Sequence, residues 1–420
     1  MLKKYKQILI HVSLFVITLI TTTLSGAEWT AKYGSEGWDY VLNGLWYSIP
    51  FIGILTVHEF GHYFLARYNK VKATLPYYIP FYFPGVPSIG TFGAFIRMKT
   101  VAFSRRAIFD IGVAGPLAGF AVALIVLTVG FITLPEKEYV YSIHPDYQTF
   151  DGNYENHVYT YDYLKKQSDQ IIDSLYEKDS LNYVLNSKTD TSLEKPIKVY
   201  QTEFTELAVG KNLLFLIFEH LFSYQGDKIP NAFELFHYPL LFAAYLALFF
   251  TALNLIPIGQ LDGGHVIYGL FGYEGHRKIA SVFFIAFVFV AGLGMFKVNV
   301  TGINFFTANG LDQLEFALLY IGFLYILFAR MFNQFMNALL TAVAIFTCQF
   351  LVEYLFPSIT GFNGWLLYAF LIGRFLGVYH PPAMNERPLD LKRKLIGWFS
   401  MLIFVLCFTP EVLTFVTIKK

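Results

Sequence analysis

The sequence predicts an all-α polytopic membrane protein. It predicts about eight to nine transmembrane helices, a re-entrant β-hairpin-like segment and one extramembrane insert of about 100 residues. Three observations lead there. Hydrophobic residues make up 55% of the 420-residue chain and charged residues 15%, with a mean hydropathy of +0.48, which is too apolar for a soluble globule. The apolar runs are longer than core helices require. Lys and Arg clusters recur at alternating ends of those runs, as the positive-inside rule demands of successive spans. A net charge of +1 gives no support to a nucleic-acid partner. Cys348 and Cys407 lie in apolar runs without a C-x-x-C neighbour, so packing is expected of them rather than a zinc knuckle or a disulfide.

Lys3, Lys4 and Lys6 precede the apolar run Ile8 to Leu24 and place the N-terminus in the cytoplasm. Ser25-Gly26-Ala27 has the small side chains of a signal-peptidase site, although a retained first span is the commoner arrangement in polytopic chains. The linker from Glu28 to Asp39 is acidic and should lie outside. A second run, Val41 to Arg67, returns to the cytoplasm, where Arg67, Lys70 and Lys72 anchor it. Within it stands Thr56-Val57-His58-Glu59-Phe60-Gly61-His62. Histidines four apart share one helix face, so His58 and His62 can hold one zinc ion, and Glu59 can reach a water beside it. Three ionisable groups in an apolar helix are costly in lipid and imply a function.

Residues 73–99 are apolar but dense in Pro and Gly, which no helix sustains. Gly90-Thr91-Phe92-Gly93-Ala94-Phe95 alternates like a strand, so a re-entrant or interfacial hairpin is expected, with a free edge at Gly90, Phe92 and Gly93 able to receive an extended peptide. An ordinary interfacial loop is the simpler alternative. The third run, Ala107 to Leu134, contains Gly112-Val113-Ala114-Gly115-Pro116-Leu117-Ala118-Gly119, and small residues such as Gly115 and Gly119 let a neighbouring helix approach closely. From 135 to 236 the chain turns polar, with 17 acidic and 9 basic residues, which places it outside. Its His144, His157 and His220 are not at ligand spacing and are expected on the surface.

The fourth run begins near Tyr238 and continues into Asn254-Leu255-Ile256-Pro257-Ile258-Gly259-Gln260-Leu261-Asp262-Gly263-Gly264-His265. Pro257 breaks the helix, as happens beside membrane binding sites. Asp262 is then a carboxylate at membrane depth in the same leaflet as His58 and His62. Further spans are expected over 279–296, 314–329, 336–356, 365–378 and 395–415, the last with Pro410 in its path. The organisation read from this is 1–40, first span and outer linker; 41–134, first half of a catalytic core; 135–236, extracytoplasmic insert; 237–280, second half of the core; and 281–420, C-terminal helices.

Catalytic zinc needs three protein ligands and one open position. His58 and His62 supply two. Asp262 is the expected third, ahead of Asp110, which has no helix break or flanking glycines. Glu59 is the expected general base. Asn254 is a candidate hydrogen-bond donor to substrate or oxyanion, or alternatively an interhelical hydrogen bond. His265 reads as a packing residue or one supporting the ligands. A membrane transporter using the His and Asp side chains as an ion site is the competing function, but it does not account for the placement of Glu59.

With H-E-F-G-H at 58–62 and N-x-x-P-x-x-x-x-D-G at 254–263, the chain resembles the site-2 protease family of intramembrane zinc metalloproteases. The likeness is strong over about 41–134 and 237–280, and is closest in kind to multi-spanning bacterial members. It implies Zn2+ held by His58, His62 and Asp262, with Glu59 as base. It also implies cleavage of a single-span client within or near its transmembrane segment, commonly a regulator already trimmed by another protease, and residence in a bacterial cell or inner membrane. Many bacterial members carry a PDZ domain, and no convincing one is legible here. The client and the oligomeric state are not encoded in any motif.

Overall fold

The computed structural model describes residues 2–84, 88–100, 103–150, 152–186, 204–295, 313–332 and 334–418. Helix α1 (Leu2–Thr30) and helix α2 (Gly37–Tyr68) form an antiparallel hairpin. Their backbones touch at Gly44, where an added Cβ would lie 2.0 Å from the Thr23 carbonyl, and Thr23 shares a 2.8 Å hydroxyl hydrogen bond with Ser48. Ser25-Gly26-Ala27 is therefore helical and buried against α2.

The segment after α2 contributes two short strands. β1 (Tyr77–Pro80) pairs antiparallel with β2 (Thr91–Phe95) in the register Tyr77 to Phe95 and Tyr78 to Ala94, with an irregularity before Pro80. Side chains of α1 and α2 hold this hairpin. His11 Nδ1 donates to the Pro76 carbonyl (2.9 Å), Thr21 to Gly90 (2.7 Å) and Tyr47 to Ile89 (3.0 Å). Thr56 and Tyr78 share a further hydroxyl contact at 2.8 Å.

Helix α3 (Arg105–Ile132) is capped by Ser104, whose hydroxyl accepts from the Ala107 amide. The insert follows: short 3-10 turns over 137–150, then α4 (Glu155–Val158), α5 (Tyr161–Asn186), β3 (Phe204–Val209) and α6 (Leu213–Leu221). Next come α7 (Pro239–Leu255), α8 (Asp262–Ala291), α9 (Gln313–Phe328), α10 (Phe335–Leu355), α11 (Gly364–Leu371, prolonged by a π turn to Leu376), α12 (Leu391–Cys407) and β4 (Leu413–Ile418). The main core lies where α2, α3, α7 and α8 meet, around Tyr47, Phe51, Phe120, Leu127, Tyr245 and Phe284.

The fourth run breaks where Pro257 predicts: α7 stops at Leu255, and Asp262 opens a new helix. Two other boundaries differ from those expected. The run expected from 279 is not separate: residues 279–291 belong to α8, which bends at Gly272, φ 73°. The run 395–415 ends at Cys407, because Pro410 halts it, and the chain then becomes β4. That strand pairs antiparallel with β3 from Phe204–Ile418 to Val209–Leu413.

Among the described residues, four helices are long and apolar enough to cross a membrane: Tyr5–Thr30, Gly37–Tyr68, Arg105–Ile132 and Phe335–Leu355. Three shorter apolar helices cover 239–255, 315–328 and 364–376. Among the described residues, length and composition thus identify four of the expected eight to nine spans. Ile8, Leu9, Val12 and Ile20 of α1 and Leu340 and Leu351 of α10 are exposed, an outward apolar face that lipid would cover.

Candidate metal centre

The centre is built from α2, α3 and the α7–α8 connection. Helical spacing puts His58 and His62 on the face of α2 turned to α3, and both are buried, as is Glu59. Close approach of α3 seats them. An added Cβ on Gly61 would lie 2.6 Å from the Ala114 carbonyl, and one on Gly115 only 2.1 Å from His62 Nε2; on Gly119 it would touch His58 Cβ at 3.1 Å. Gly115 and Gly119 are therefore the floor under the two imidazoles. His62 Nδ1 stands 2.7 Å from the Ile111 carbonyl. A carbonyl only accepts, so Nδ1 carries the proton and Nε2 presents its lone pair.

The third side of the site depends on a broken helix. Ile256 precedes Pro257 and adopts an extended conformation (φ −54°, ψ 128°), as pre-proline residues do. Gly259 then turns through φ 59°, with its N–H donating to the Val378 carbonyl at 2.9 Å. This brings Asp262 into the first turn of α8, with Oδ2 3.4 Å from His58 Nε2 and 3.2 Å from His62 Nε2, while the two Nε2 atoms are 3.1 Å apart. Zinc bonds of 2.0–2.1 Å at the tetrahedral angle require ligand–ligand edges of about 3.3 Å. Two imidazole nitrogens and one carboxylate oxygen, spaced close to that figure, are a donor set that zinc fits.

A cavity of about 230 Å3 opens on this triangle, and Glu59 and Asn254 line it too. Ile96 lines it beside Glu59, and the Asn254 amide lies 3.3 Å from His58 Nε2. From the hairpin segment it is Ala94, Phe95, Ile96 and Met98 that line the cavity. Gly90, Phe92 and Gly93 do not; Gly90 is held against α1 by Thr21, and Phe92 points outward, 64% exposed. His265 lines the cavity wall, its Cβ against Gly112 and its ring beside His380. Gln260, which no motif singled out, also reaches it. Asp110 is elsewhere, in a two-point ion pair with Arg393 (2.7 and 2.9 Å). A larger apolar cleft of about 490 Å3, between the ends of α2, α3 and α7, holds none of these ionisable groups.

Among the histidines expected on the surface, His144 is half-buried and its Nε2 meets His237 Nε2 at 3.1 Å. Linear spacing could not show this, because the partners are 93 residues apart.

Among known families, the profile of peptidase family M50 matches residues 46–298. Curated relatives include the probable zinc metalloprotease EGY2, chloroplastic, of Oryza sativa subsp. indica, 24% identical over 244 residues, which are 58% of this chain and 32% of the relative. The probable zinc metalloprotease EGY1, chloroplastic, of Arabidopsis thaliana is 27% identical over 221 residues, 53% of this chain and 28% of the relative. The chain spans about a third of the length of the curated relatives it matches. These are plant proteins, whereas the motifs had suggested bacterial members. No solved structure matches.

Proposed function

The chain belongs to peptidase family M50, the site-2 protease family, and from that premise we propose that it is an intramembrane zinc metalloendopeptidase. Its substrate class is a membrane-protein client with a single transmembrane segment. The observation that carries this reading is the triangle of His58, His62 and Asp262 in one cavity with Glu59. Family membership does not favour the ion-transporter alternative.

In this reading His58, His62 and Asp262 hold zinc, which when bound polarises the scissile carbonyl and acidifies a water molecule. Glu59 takes the proton from the attacking water and passes it to the leaving amine. Asn254, at the cavity edge, donates to the substrate carbonyl as it gains charge, a contact worth a few kcal/mol in comparable sites. A helical client hides its amides in hydrogen bonds and must unwind before attack. The hairpin ending at Phe95, in a re-entrant position, holds the unwound stretch extended by main-chain pairing. Residues 41–134 and 237–280 form the catalytic core. Positive-inside logic puts the cavity near the cytoplasmic face, with the insert on the opposite side, so the product is released into the cytoplasm.

The test is cleavage of a generic single-span substrate by the purified chain in detergent, wild type against Glu59→Gln. Cleavage should fall by about 10²–10⁴-fold while zinc content stays at the wild-type level. Equal cleavage by the two forms would remove Glu59 from the reaction. Cutting mapped to the far third of the client's span would overturn the assignment of the cytoplasmic face.

A further inference from the structure

A second group of metal-ligating side chains stands at the base of the insert, apart from the centre just described. His144 lies in the turn that follows residues 137–142, and Glu234 and His237 lie in the turn that leads into α7. His144 Nε2 is 3.1 Å from His237 Nε2, which is 3.6 Å from Glu234 Oε2, and the three ligand atoms all fall within 4.8 Å of one another.

Each side chain is oriented from behind. His237 Nδ1 lies 2.6 Å from the Trp29 carbonyl, so it is the protonated nitrogen and Nε2 faces the cluster with its lone pair. The His144 ring stacks on Tyr147 at 4.7 Å between centroids. Glu234 Oε1 accepts from the Tyr159 hydroxyl. Such hydrogen bonds to the far side of a ligand are what metal-binding imidazoles and carboxylates characteristically have.

One atom is left over. Glu234 is only 2% exposed, and its Oε2, turned to the two imidazoles, has no hydrogen-bond partner. A buried carboxylate oxygen without a donor is costly. A cation between it and the two Nε2 atoms would satisfy all three.

We propose that His144, Glu234 and His237 form a second divalent-metal site that clamps the two ends of the insert together and onto the end of α1. Two imidazoles and one carboxylate select a borderline ion of the zinc class, not calcium or magnesium, which take oxygen ligands. The site joins the segment after α3, the segment before α7, the α1 end through Trp29, and the insert through Tyr159. Its role is to fix where the insert sits over the helices, and it stands whether or not the chain is a protease.

The experiment counts zinc in the purified full chain after equilibration with zinc and removal of excess, for wild type, His58→Ala, Glu234→Gln and the double variant. Glu234→Gln keeps a carbonyl oxygen for Tyr159 and nearly the same shape. The expected zinc contents are two per chain in wild type, one in each single variant and none in the double variant. Adding zinc to chelated His58→Ala should raise its unfolding temperature, and should not do so in the double variant. Zinc lost with His58→Ala but unchanged by Glu234→Gln overturns this proposal and leaves the catalytic reading standing. Zinc lost with Glu234→Gln but unchanged by His58→Ala supports this proposal and overturns the catalytic one.

Discussion

Replacing Gly115 by alanine should disable the centre while adding a single methyl group. That methyl would lie 2.1 Å from His62 Nε2, 2.4 Å from Cδ2 and 2.5 Å from Cε1, where ordinary contact begins at 3.4 Å. The imidazole must therefore retreat by more than 1 Å. It cannot swing aside freely, because Nδ1 is tied to the Ile111 carbonyl. Nor can the helices part cheaply, because Gly61 rests on the Ala114 carbonyl. Zinc–ligand distances tolerate about 0.2 Å, and a 1 Å misplacement typically costs about 10²-fold in rate. Gly115→Ala should thus lower cleavage at least about 100-fold and weaken zinc binding by about 10–100-fold. The destabilisation should be only the 1–3 kcal/mol, roughly, of an overpacked contact. Gly119→Ala is the internal control: its methyl would meet His58 Cβ at 3.1 Å, a few tenths too close, so less than about tenfold is expected. The assay pairs metal analysis with substrate cleavage and checks folding by size-exclusion chromatography. Gly115→Ala with wild-type zinc and wild-type turnover would refute the reasoning, since His62 could not then be seated on α3 as described.

A chelator such as 1,10-phenanthroline should abolish cleavage, and zinc but not magnesium should restore it, as expected of a nitrogen-rich ligand set; activity that survives complete metal removal would sink the reading. Asp110→Asn should leave zinc content at the wild-type level and lower stability by about 1–2 kcal/mol, because Arg393 loses its two-point partner; a loss of zinc would make Asp110 a ligand in place of Asp262. Gly90→Ala should keep zinc and cut cleavage at least about tenfold. Its φ of 84° disfavours a side chain by about 1–2 kcal/mol, and the added methyl would lie 2.3 Å from Thr22 Cα. Unchanged cleavage would mean that the hairpin does not position the substrate.

What could be read in the sequence was local or carried by a motif. His58, Glu59 and His62 lie within one helical turn, so helix periodicity alone put the two imidazoles on one face. Gly115 and Gly119 declared a close helix approach by their size. Asp262 came from a helix broken at Pro257 with flanking glycines, and the break indeed falls between the end of α7 at Leu255 and Asp262, which opens α8. Strand alternation over 90–95 was legible. Which of its residues reach the cavity was not, because that depends on how α1 and α2 grip the hairpin. The remaining misses are long-range. The pairing of β3 with β4, the Asp110–Arg393 pair and the meeting of His144 with Glu234 and His237 join residues from about 90 to more than 280 positions apart, and no local periodicity records them.

The pairing of β3 with β4 sets an order of assembly. Phe204 waits for Ile418, more than 200 residues downstream. At 5–20 residues per second, a ribosome takes about 10–40 s to deliver it. Through that interval the insert carries an unfinished strand edge, the kind of surface that invites wrong partners. Only after α12 has been made can β4 arrive, and Tyr245 of α7 then reaches both the Gly210 and Val412 carbonyls (2.8 and 2.9 Å) at the seam. β4 thus closes the insert from far downstream, and a newborn chain should remain vulnerable to quality-control proteases until that strand docks.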